Sequence, residues 1–316
     1  MTAGARPRIP ALSTRFEVVP ARPFSLAATA ERFARFPDSV DLFDGVRYRR
    51  LLPARPAALL SVAQSGRPPS AVLRVELTGP GSRSGAARAA ATRLLERSLG
   101  IASDVRPFER AFRSDLLLGP AIRRFRGLRV AGAPSLWEAL VLAVLAQQIH
   151  MGFAASIRQD LVHAFGRRAR IAGETFYDFP SPEAIARAGA RGLRGFRLSK
   201  GKRDTLLRLA RAFSRGLLRE KDLEERGDEE IIETLTAIRG IGRWTAEVAL
   251  LRGLRRPDAF PAGDLSIVKY LAVGLLGRSA ASSEREMRDL SQRWRPHRSL
   301  ALVYMYAVLA AAEAGK

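Results

Sequence analysis

The sequence of 316 residues contains no cysteine. Disulfide bridges, thiolate metal sites and cysteine-ligated iron–sulfur clusters are therefore excluded for this chain. Histidine is also scarce, and His150, His163 and His297 are too scattered in sequence to indicate a zinc site. We therefore expect no metal bound by side chains and no iron–sulfur cofactor.

Long apolar runs are absent as well. The longest, LWEALVLAVLA at 136–146, contains Glu138 and ends at Gln147. It is shorter than the roughly 18 residues that would indicate a membrane span, so a buried helix is the better interpretation. The first fifteen residues are basic but lack the apolar core of a signal peptide. They predict a frayed start and a cytoplasmic protein with no membrane partner.

Acidic residues are few relative to basic ones. Fifty-three Lys and Arg stand against thirty-one Asp and Glu, which gives a formal charge of +22. A field of this sign favours polyanionic partners such as nucleic acid, or an acidic membrane surface. Codon usage that favours arginine would explain the arginine content but not the net charge. With 47% hydrophobic residues the chain can bury a core, and its length is typical of two or three domains.

Residues 1–103 are expected to form an α+β domain. A short helix is predicted over 24–36, and a longer one over 84–100 with Ser84 as its N-cap. Between them lie three segments rich in β-forming residues, separated by Pro and Gly as in hairpins or a meander: 45–52, 57–64 and 71–79.

Residues 104–316 are expected to form an all-α bundle. From about Asp104 strand signals disappear, and apolar residues recur at helical spacing between short joints. The predicted fold class is therefore α+β, with an antiparallel sheet and helices in the N-terminal domain followed by a helical domain.

The segment TAIRGIGRWTAEVALLRG at 236–253 joins two helical patterns through a Gly-Ile-Gly turn. Gly240 and Gly242 are predicted to adopt positive φ and to let another backbone come close. The second helix begins with free N–H groups, which together with the helix dipole favour a phosphate. Such a hairpin can hold a DNA backbone without reading bases. An ordinary αα-turn with a glycine C-cap is the alternative.

The order of motifs around this hairpin resembles the helix-hairpin-helix DNA glycosylase superfamily. A Gly- and Pro-rich loop, RRPDAFPAGD, leads from the hairpin to a helix predicted to begin at Asp264. The likeness is greatest to the alkylation-repair branch, 3-methyladenine DNA glycosylase II, and covers about 105–310. Three further segments resemble helices of that family: 136–166, 193–213 and 293–306. The resemblance implies a monomer that acts on damaged double-stranded DNA in the nucleoid.

The resemblance places the family's catalytic aspartate at Asp264. Cleavage of an N-glycosidic bond builds positive charge on the sugar, and a fixed carboxylate stabilises that charge. A helix N-cap is the alternative role for Asp264, and the two roles are compatible. Asp258, the other carboxylate of the loop, is predicted to be a turn or cap residue.

Trp244 and Tyr306 match aromatic positions of the family's base pocket. Aromatic faces suit an electron-poor alkylated purine such as 3-methyladenine or 7-methylguanine, although core packing is an equal alternative for both residues. Family members that also cut the strand carry a lysine at the place of Trp244, where it forms a Schiff base. Tryptophan cannot form an imine, so the resemblance implies a monofunctional glycosylase that leaves an abasic site.

The resemblance also implies DNA contacts from the hairpin and from the Gln-Gln turn, where Gln148 matches the residue that wedges into the duplex. The predicted DNA-binding residues are Gly240, Gly242, Arg243, Thr245, Gln147 and Gln148. A monovalent cation bound by the backbone at Gly240 and Gly242 is the one metal compatible with this interpretation. The alternative function is a non-catalytic helix-hairpin-helix DNA-binding protein in which Asp264 is only a cap.

Overall fold

A computed structural model describes residues 12–274 and 283–314 of the chain. The strands within these residues are β1 Ser13–Val18, β2 Leu42–Phe43, β3 Arg47–Leu51, β4 Leu59–Ser65, β5 Val72–Thr78, β6 Arg168–Ile171 and β7 Glu174–Tyr177. The α-helices are α1 Leu26–Arg35, α2 Gly85–Leu94, α3 Arg106–Phe112, α4 Leu118–Arg124, α5 Leu136–Ala146, α6 Met151–Phe165, α7 Pro182–Gly192, α8 Lys200–Ser214, α9 Lys221–Glu224, α10 Asp228–Thr236, α11 Arg243–Arg252, α12 Leu265–Gly274, α13 Glu284–Ser291 and α14 Arg298–Ala314.

The N-terminal half contains an antiparallel sheet of five strands in the order β1-β5-β4-β3-β2. Apolar and polar residues alternate along β5, so its two faces differ: Leu73, Val75 and Leu77 are buried, while Arg74 points to solvent. The predicted helices and three strands of this half are confirmed. Strand β1 was not predicted, since it overlaps the stretch expected to be frayed, and it pairs along β5. Residues 1–11 of that stretch lie outside the described residues.

The prediction of an all-α second half was wrong at one place, the hairpin of β6 and β7. Its two-residue turn, Ala172-Gly173, has φ of 52° and 91°, the backbone that a tight hairpin turn requires. The flanking segments RARI and ETFY alternate in character, so a strand signal was present in the sequence. The hairpin packs on the N-terminal sheet through a small apolar cluster of Leu51, Leu59, Ile171 and Phe176.

A buried ion cluster also joins the N-terminal sheet to α5. Arg50 donates to both oxygens of Asp41, at 2.9 and 2.8 Å, and to both oxygens of Glu138, at 3.1 and 2.7 Å. Burial raises the pKa of Glu138 to about 7, while the Arg50 charge opposes that rise. Glu138, which interrupts the longest apolar run, therefore connects the two halves, and loss of one partner would leave a buried charge uncompensated.

The second half is organised around α5, whose side chains are buried on almost every face. Helix α11 packs against α5, and α8 packs against both α5 and α7. This arrangement puts the turn after α5, the hairpin before α11 and the start of α8 in one region. Among residues 12–274 and 283–314, no helix is long and apolar enough to cross a membrane.

Candidate functional site

The Gly-Ile-Gly turn connects α10 to α11. Gly240 has φ of +98°, which confirms the predicted positive φ there. Gly242 has φ of −92°, so the same prediction for Gly242 was wrong. A Cβ atom added at Gly240 would lie 1.9 Å from Oγ1 of Thr205, whereas one added at Gly242 would meet no atom within 4 Å. Gly240 is thus required by packing, and Gly242 leaves an open surface.

That open surface lies at the N-terminus of α11. Gly242 is the N-cap residue and offers no side chain to the helix. The N–H groups of the first helical turn, at Arg243, Trp244 and Thr245, therefore have no capping side chain and no acceptor within the helix. An exposed helix start of this kind favours an anion such as a phosphate.

Two predicted DNA-binding side chains make contacts inside the protein instead. Arg243 donates to Glu229 at 2.6 Å and to Glu247 at 3.1 Å, so its charge is shared between two carboxylates. Thr245 is buried, and its Oγ1 accepts a hydrogen bond of 2.9 Å from Gln147. A DNA contact at either residue stays a prediction, and for Thr245 it would have to come from the backbone N–H.

The Gln147-Gln148 turn is attached to the hairpin. Gln147 Nε2 donates to the Gly240 carbonyl at 3.1 Å as well as to Thr245. Gln148 has a left-handed backbone, with φ of +53°, and its side chain is exposed. A non-glycine residue in this region is strained and must be held by its surroundings. Gln147 is therefore a structural anchor, and Gln148 is the residue that the turn presents outward.

Helix α8 contacts both the Gln147-Gln148 turn and the Gly-Ile-Gly hairpin. Lys202 Nζ donates to the carbonyls of Leu145 and Gln147, at 2.8 and 2.7 Å. Arg208 Nη1 donates to the Arg239 carbonyl at 3.0 Å. Thr205 lies between them on the same helix face and packs against the hairpin at Gly240. One face of α8 thus fixes the spacing between two surfaces that are predicted to touch DNA.

We expect Lys202→Met to lower by about ten-fold the rate of the base release that the resemblance implies, because two carbonyls at the end of α5 lose a charge-assisted hydrogen bond that holds the Gln148 turn. Lys200→Met is the matched control, since Lys200 is exposed on the same helix. The single-turnover rate of base release measures both variants. Equal rates for the two would mean that Lys202 does not position the turn.

One face of α11 is partly exposed although the helix runs through the core. Trp244, Val248 and Arg252, spaced four residues apart, are half-buried. The residues between them, 245–247 and 249–251, are buried. Since residues four apart share a helix face, the three form one partly exposed stripe along α11. Trp244 stands at its outer end, next to the hairpin, and Arg252 at its inner end.

Asp264 is the N-cap of α12, which begins one residue later than predicted. Its Oδ1 accepts hydrogen bonds from the backbone N–H groups of Ser266 and Ile267, at 3.1 and 3.3 Å. These contacts confirm the capping role and fix the orientation of the carboxylate. The side chain remains half-exposed, and the next residue, Leu265, is 82% exposed. The carboxylate is therefore both held in place and accessible.

Tyr306 and Arg252 lie beside this carboxylate. Burial raises the pKa of the Tyr306 phenol well above its usual value, and the charge of nearby Asp264 raises it further. The Arg252 guanidinium lies 5.9 Å from the centre of the Tyr306 ring. The structure thus brings Asp264 and Tyr306 together, with Trp244 on the helix face that ends at Arg252. No sequence motif pointed to Arg252.

Comparisons with known proteins show which family this chain resembles. The family described as "HhH-GPD superfamily base excision DNA repair protein" matches residues 141–296. A DNA-3-methyladenine glycosylase of Bacillus subtilis is 34% identical over 207 residues, covering 66% of this chain and 68% of that protein. DNA-3-methyladenine glycosylase 2 of Escherichia coli is 30% identical over 181 residues, covering 57% of this chain and 60% of that protein.

A solved structure with the same fold is the 3-methyladenine DNA-glycosylase from Archaeoglobus fulgidus. It superposes with a TM-score of 0.79 at 26% sequence identity, covering 92% of this chain and 97% of that one. The superposition thus extends well beyond the residues 141–296 that the family model matches. The chain belongs to the helix-hairpin-helix superfamily of base-excision DNA repair proteins, and to its 3-methyladenine DNA glycosylase type.

Proposed function

We propose that the protein is a monofunctional DNA glycosylase. It flips alkylated purines of the 3-methyladenine or 7-methylguanine type out of double-stranded DNA and hydrolyses the N-glycosidic bond, leaving an abasic site. The observation that carries this proposal is the Asp264 carboxylate, which two backbone N–H groups hold in an accessible position. It lies next to Tyr306, and Trp244 stands on the partly exposed stripe of α11 that ends at Arg252.

Asp264 acts on the charge of the transition state. As the base leaves, positive charge develops on the sugar, and the fixed carboxylate stabilises it and orients the attacking water. The two hydrogen bonds to Oδ1 already fix the orientation of the carboxylate. It therefore needs no rearrangement when that charge appears. An alkylated purine is already a good leaving group because it is positively charged. A general acid is therefore not needed.

The hairpin and the Gln148 turn bind the DNA. The open N-terminus of α11 at Gly242 receives a backbone phosphate, which positions the duplex without reading its sequence. The exposed Gln148 side chain enters the gap that the flipped nucleotide leaves. The contacts from α8 and Gln147 keep these two surfaces at a fixed spacing.

Trp244 is the surface on which the flipped base stacks. Its half-exposed position on the α11 stripe supports stacking over simple core packing. A cationic base on this ring gains roughly 0.5–2 kcal/mol beyond apolar contact. Tyr306 lies close to Asp264 and Arg252, at the other end of the α11 stripe.

The hairpin cation stays a prediction. The Gly240 carbonyl accepts a hydrogen bond from Gln147, and the Gly242 carbonyl accepts one of 3.1 Å from the N–H of Ala246. Each oxygen therefore has one lone pair left for an ion. We propose that such an ion, when bound, stiffens the hairpin, and that the protein acts on nucleoid DNA as a monomer without an organic cofactor.

The non-catalytic alternative is disfavoured because the relatives in both comparisons are named as glycosylases. Release of free 3-methyladenine or 7-methylguanine from alkylated duplex DNA is the direct test of catalysis. Absence of release by the wild-type protein, with DNA binding intact, would support the non-catalytic alternative.

The monofunctional character has its own test. We expect borohydride to trap no covalent protein–DNA adduct, and strand cleavage to require added alkali, because Trp244 offers no amine to the sugar. The chain has five lysines that could act in its place: Lys200, Lys202, Lys221, Lys269 and Lys316. A trapped adduct in the wild-type protein would contradict the proposal, and Lys→Met variants would then identify the responsible residue.

A further inference from the structure

The solvent-facing side of α8 is strongly basic. Residues 200–219, which comprise α8 and the turn after it, include seven Lys and Arg and one acidic residue, Asp204. Arg211 and Arg215, in the C-terminal part of this segment, are exposed. Within the described part of the chain, neither guanidinium has a carboxylate at ion-pair distance or a hydrogen-bond partner, in contrast to nearby Arg197, which is paired with Asp160. Their charges are therefore open to an external anion.

These two arginines extend a row that begins at the hairpin. Arg208, Arg211 and Arg215 are three and four residues apart, and residues at this spacing are neighbours on a helix surface. Arg215 is the C-cap residue and keeps helical backbone angles, so it continues the row. Arg208 donates to the carbonyl of Arg239, which belongs to the hairpin. At 1.5 Å per residue, the row runs for about 10 Å from this contact toward the end of α8.

The row also continues the line of the two surfaces that are proposed to bind DNA. Lys202 binds carbonyls at the Gln148 turn, and Thr205 packs against the hairpin. A path along α8 toward its C-terminus therefore leads first past the turn, then past the hairpin and then to the two unpaired arginines. A duplex that touches both the turn and the hairpin is thus aligned with α8.

We propose that Arg211 and Arg215 bind phosphates of duplex DNA beyond the hairpin, on one side of the lesion. This inference rests on the proposed glycosylase function and extends its DNA-binding surface away from the reacting base. Duplex DNA carries one negative charge per about 1.7 Å of its axis, so a row of about 10 Å faces several phosphates. Such contacts add affinity without sequence preference. They also lengthen the duplex that the protein needs for full affinity.

Stabilisation of α8 is the competing role for these side chains. Arg211 lies in the last turn of the helix, where a cation interacts favourably with the helix dipole. That role alone predicts a lower melting temperature for an uncharged variant and no change in its affinity for DNA. Binding of phosphates predicts that the salt dependence of DNA affinity changes.

The first experiment measures the affinity of the full chain for duplex DNA at a series of salt concentrations. The wild type is compared with the double variant Arg211→Gln/Arg215→Gln, because glutamine removes each charge and is a good helix former. Loss of two phosphate contacts should make the slope of log affinity against log salt concentration shallower by about two, and affinity at about 0.1 M salt should fall at least ten-fold. Each single variant should show roughly half of the slope change.

The second experiment locates the contact by the length of the duplex. A central abasic-site analogue, a tetrahydrofuran nucleotide, fixes the position of the protein, and two shortened duplexes each lack most of the base pairs on one side of it. The row leaves the hairpin in one direction only. We therefore expect the difference in affinity between the wild type and the double variant to vanish on one shortened duplex and to persist on the other.

Arg83→Gln/Arg93→Gln is the matched control. Both side chains are exposed at α2 and have no carboxylate partner among the residues that the structure describes, and the buried face of α2 packs in the core of the N-terminal domain. The control makes the same change in net charge and should leave the slope unchanged. Arg211→Lys/Arg215→Lys keeps both charges and should retain the wild-type slope.

A change in slope smaller than that of one phosphate contact, in the double variant folded by thermal melting, would overturn the inference. Equal losses on both shortened duplexes would overturn it as well, because they would indicate a long-range field and not a local contact. Failure of the proposed function looks different, because the wild type would then release no alkylated base while its salt dependence could still be measured.

Discussion

Asp264→Asn is expected to abolish base release while binding to duplex DNA persists or tightens. Asparagine keeps an Oδ1 that can accept the hydrogen bonds from Ser266 and Ile267, and it is a good N-cap residue. The helix start is therefore preserved, and only the negative charge is lost. Removal of that charge withdraws the stabilisation of the sugar cation and reduces repulsion of the DNA phosphates.

The expected loss is at least about 100-fold in single-turnover rate, the range found when one preorganised electrostatic group is removed. Gel-shift affinity and thermal melting are measured on the same preparations. Asp264→Ala should lose release in the same way and should also be less stable, by about 0.5–2 kcal/mol, because the cap is gone. Base release by Asp264→Asn at the wild-type rate would mean that Asp264 serves only as a helix cap.

Asp258→Asn is the matched control in the same loop. The Asp258 carboxylate accepts two hydrogen bonds from the Arg298 guanidinium, at 2.9 and 2.8 Å, and one from the Arg298 backbone N–H, at 3.3 Å. It also forms an ion pair of 3.0 Å with Arg295. Asp258 thus lies in a turn, which agrees with the prediction of a turn or cap residue, and it binds the first residue of α14. Its replacement should lower the melting temperature and leave the release rate of the folded protein within a few-fold of the wild type.

The parts of the fold that the sequence predicts are those set by local patterns. Alternation along β5, the N-cap at Ser84 and the helical spacing of α10 are each encoded within a few residues, and the structure has all three. The hairpin of β6 and β7 was also encoded locally, in the alternating RARI and ETFY segments around Ala172-Gly173. It was missed because the surrounding helical pattern was extended across it.

Residues that depend on distant contacts could not be predicted. Arg32 and Arg252 meet at Ala131 although they are far apart in the chain, and no short motif connects them. Lys202 lies in the charged run LSKGKRD, where its reach to two carbonyls of the α5 end is not encoded by spacing. A glycine in the sequence likewise does not reveal whether packing or an external ligand requires it.

Gly240 and Gly242 illustrate that last distinction and give the second large expected effect. Gly240→Ala should destabilise the protein and weaken binding to damaged and undamaged duplex by similar factors of ten or more. Alanine at φ of +98° is strained, at a cost on the order of 1 kcal/mol. The new Cβ would also lie 1.9 Å from Thr205 Oγ1, so the hairpin must move away from α8.

Gly242→Ala is the matched partner, because φ of −92° suits alanine and its Cβ would meet nothing within 4 Å. Its melting temperature should stay close to that of the wild type, because alanine is a poorer N-cap than glycine but lowers the entropy of the unfolded chain. Duplex affinity should fall because the methyl group stands before the open N–H groups of α11. Thermal melting and affinity for both duplexes separate the two variants. Unchanged affinity in Gly242→Ala would mean that no phosphate approaches this helix start. A loss confined to damaged DNA, in either variant, would instead place the hairpin in base recognition.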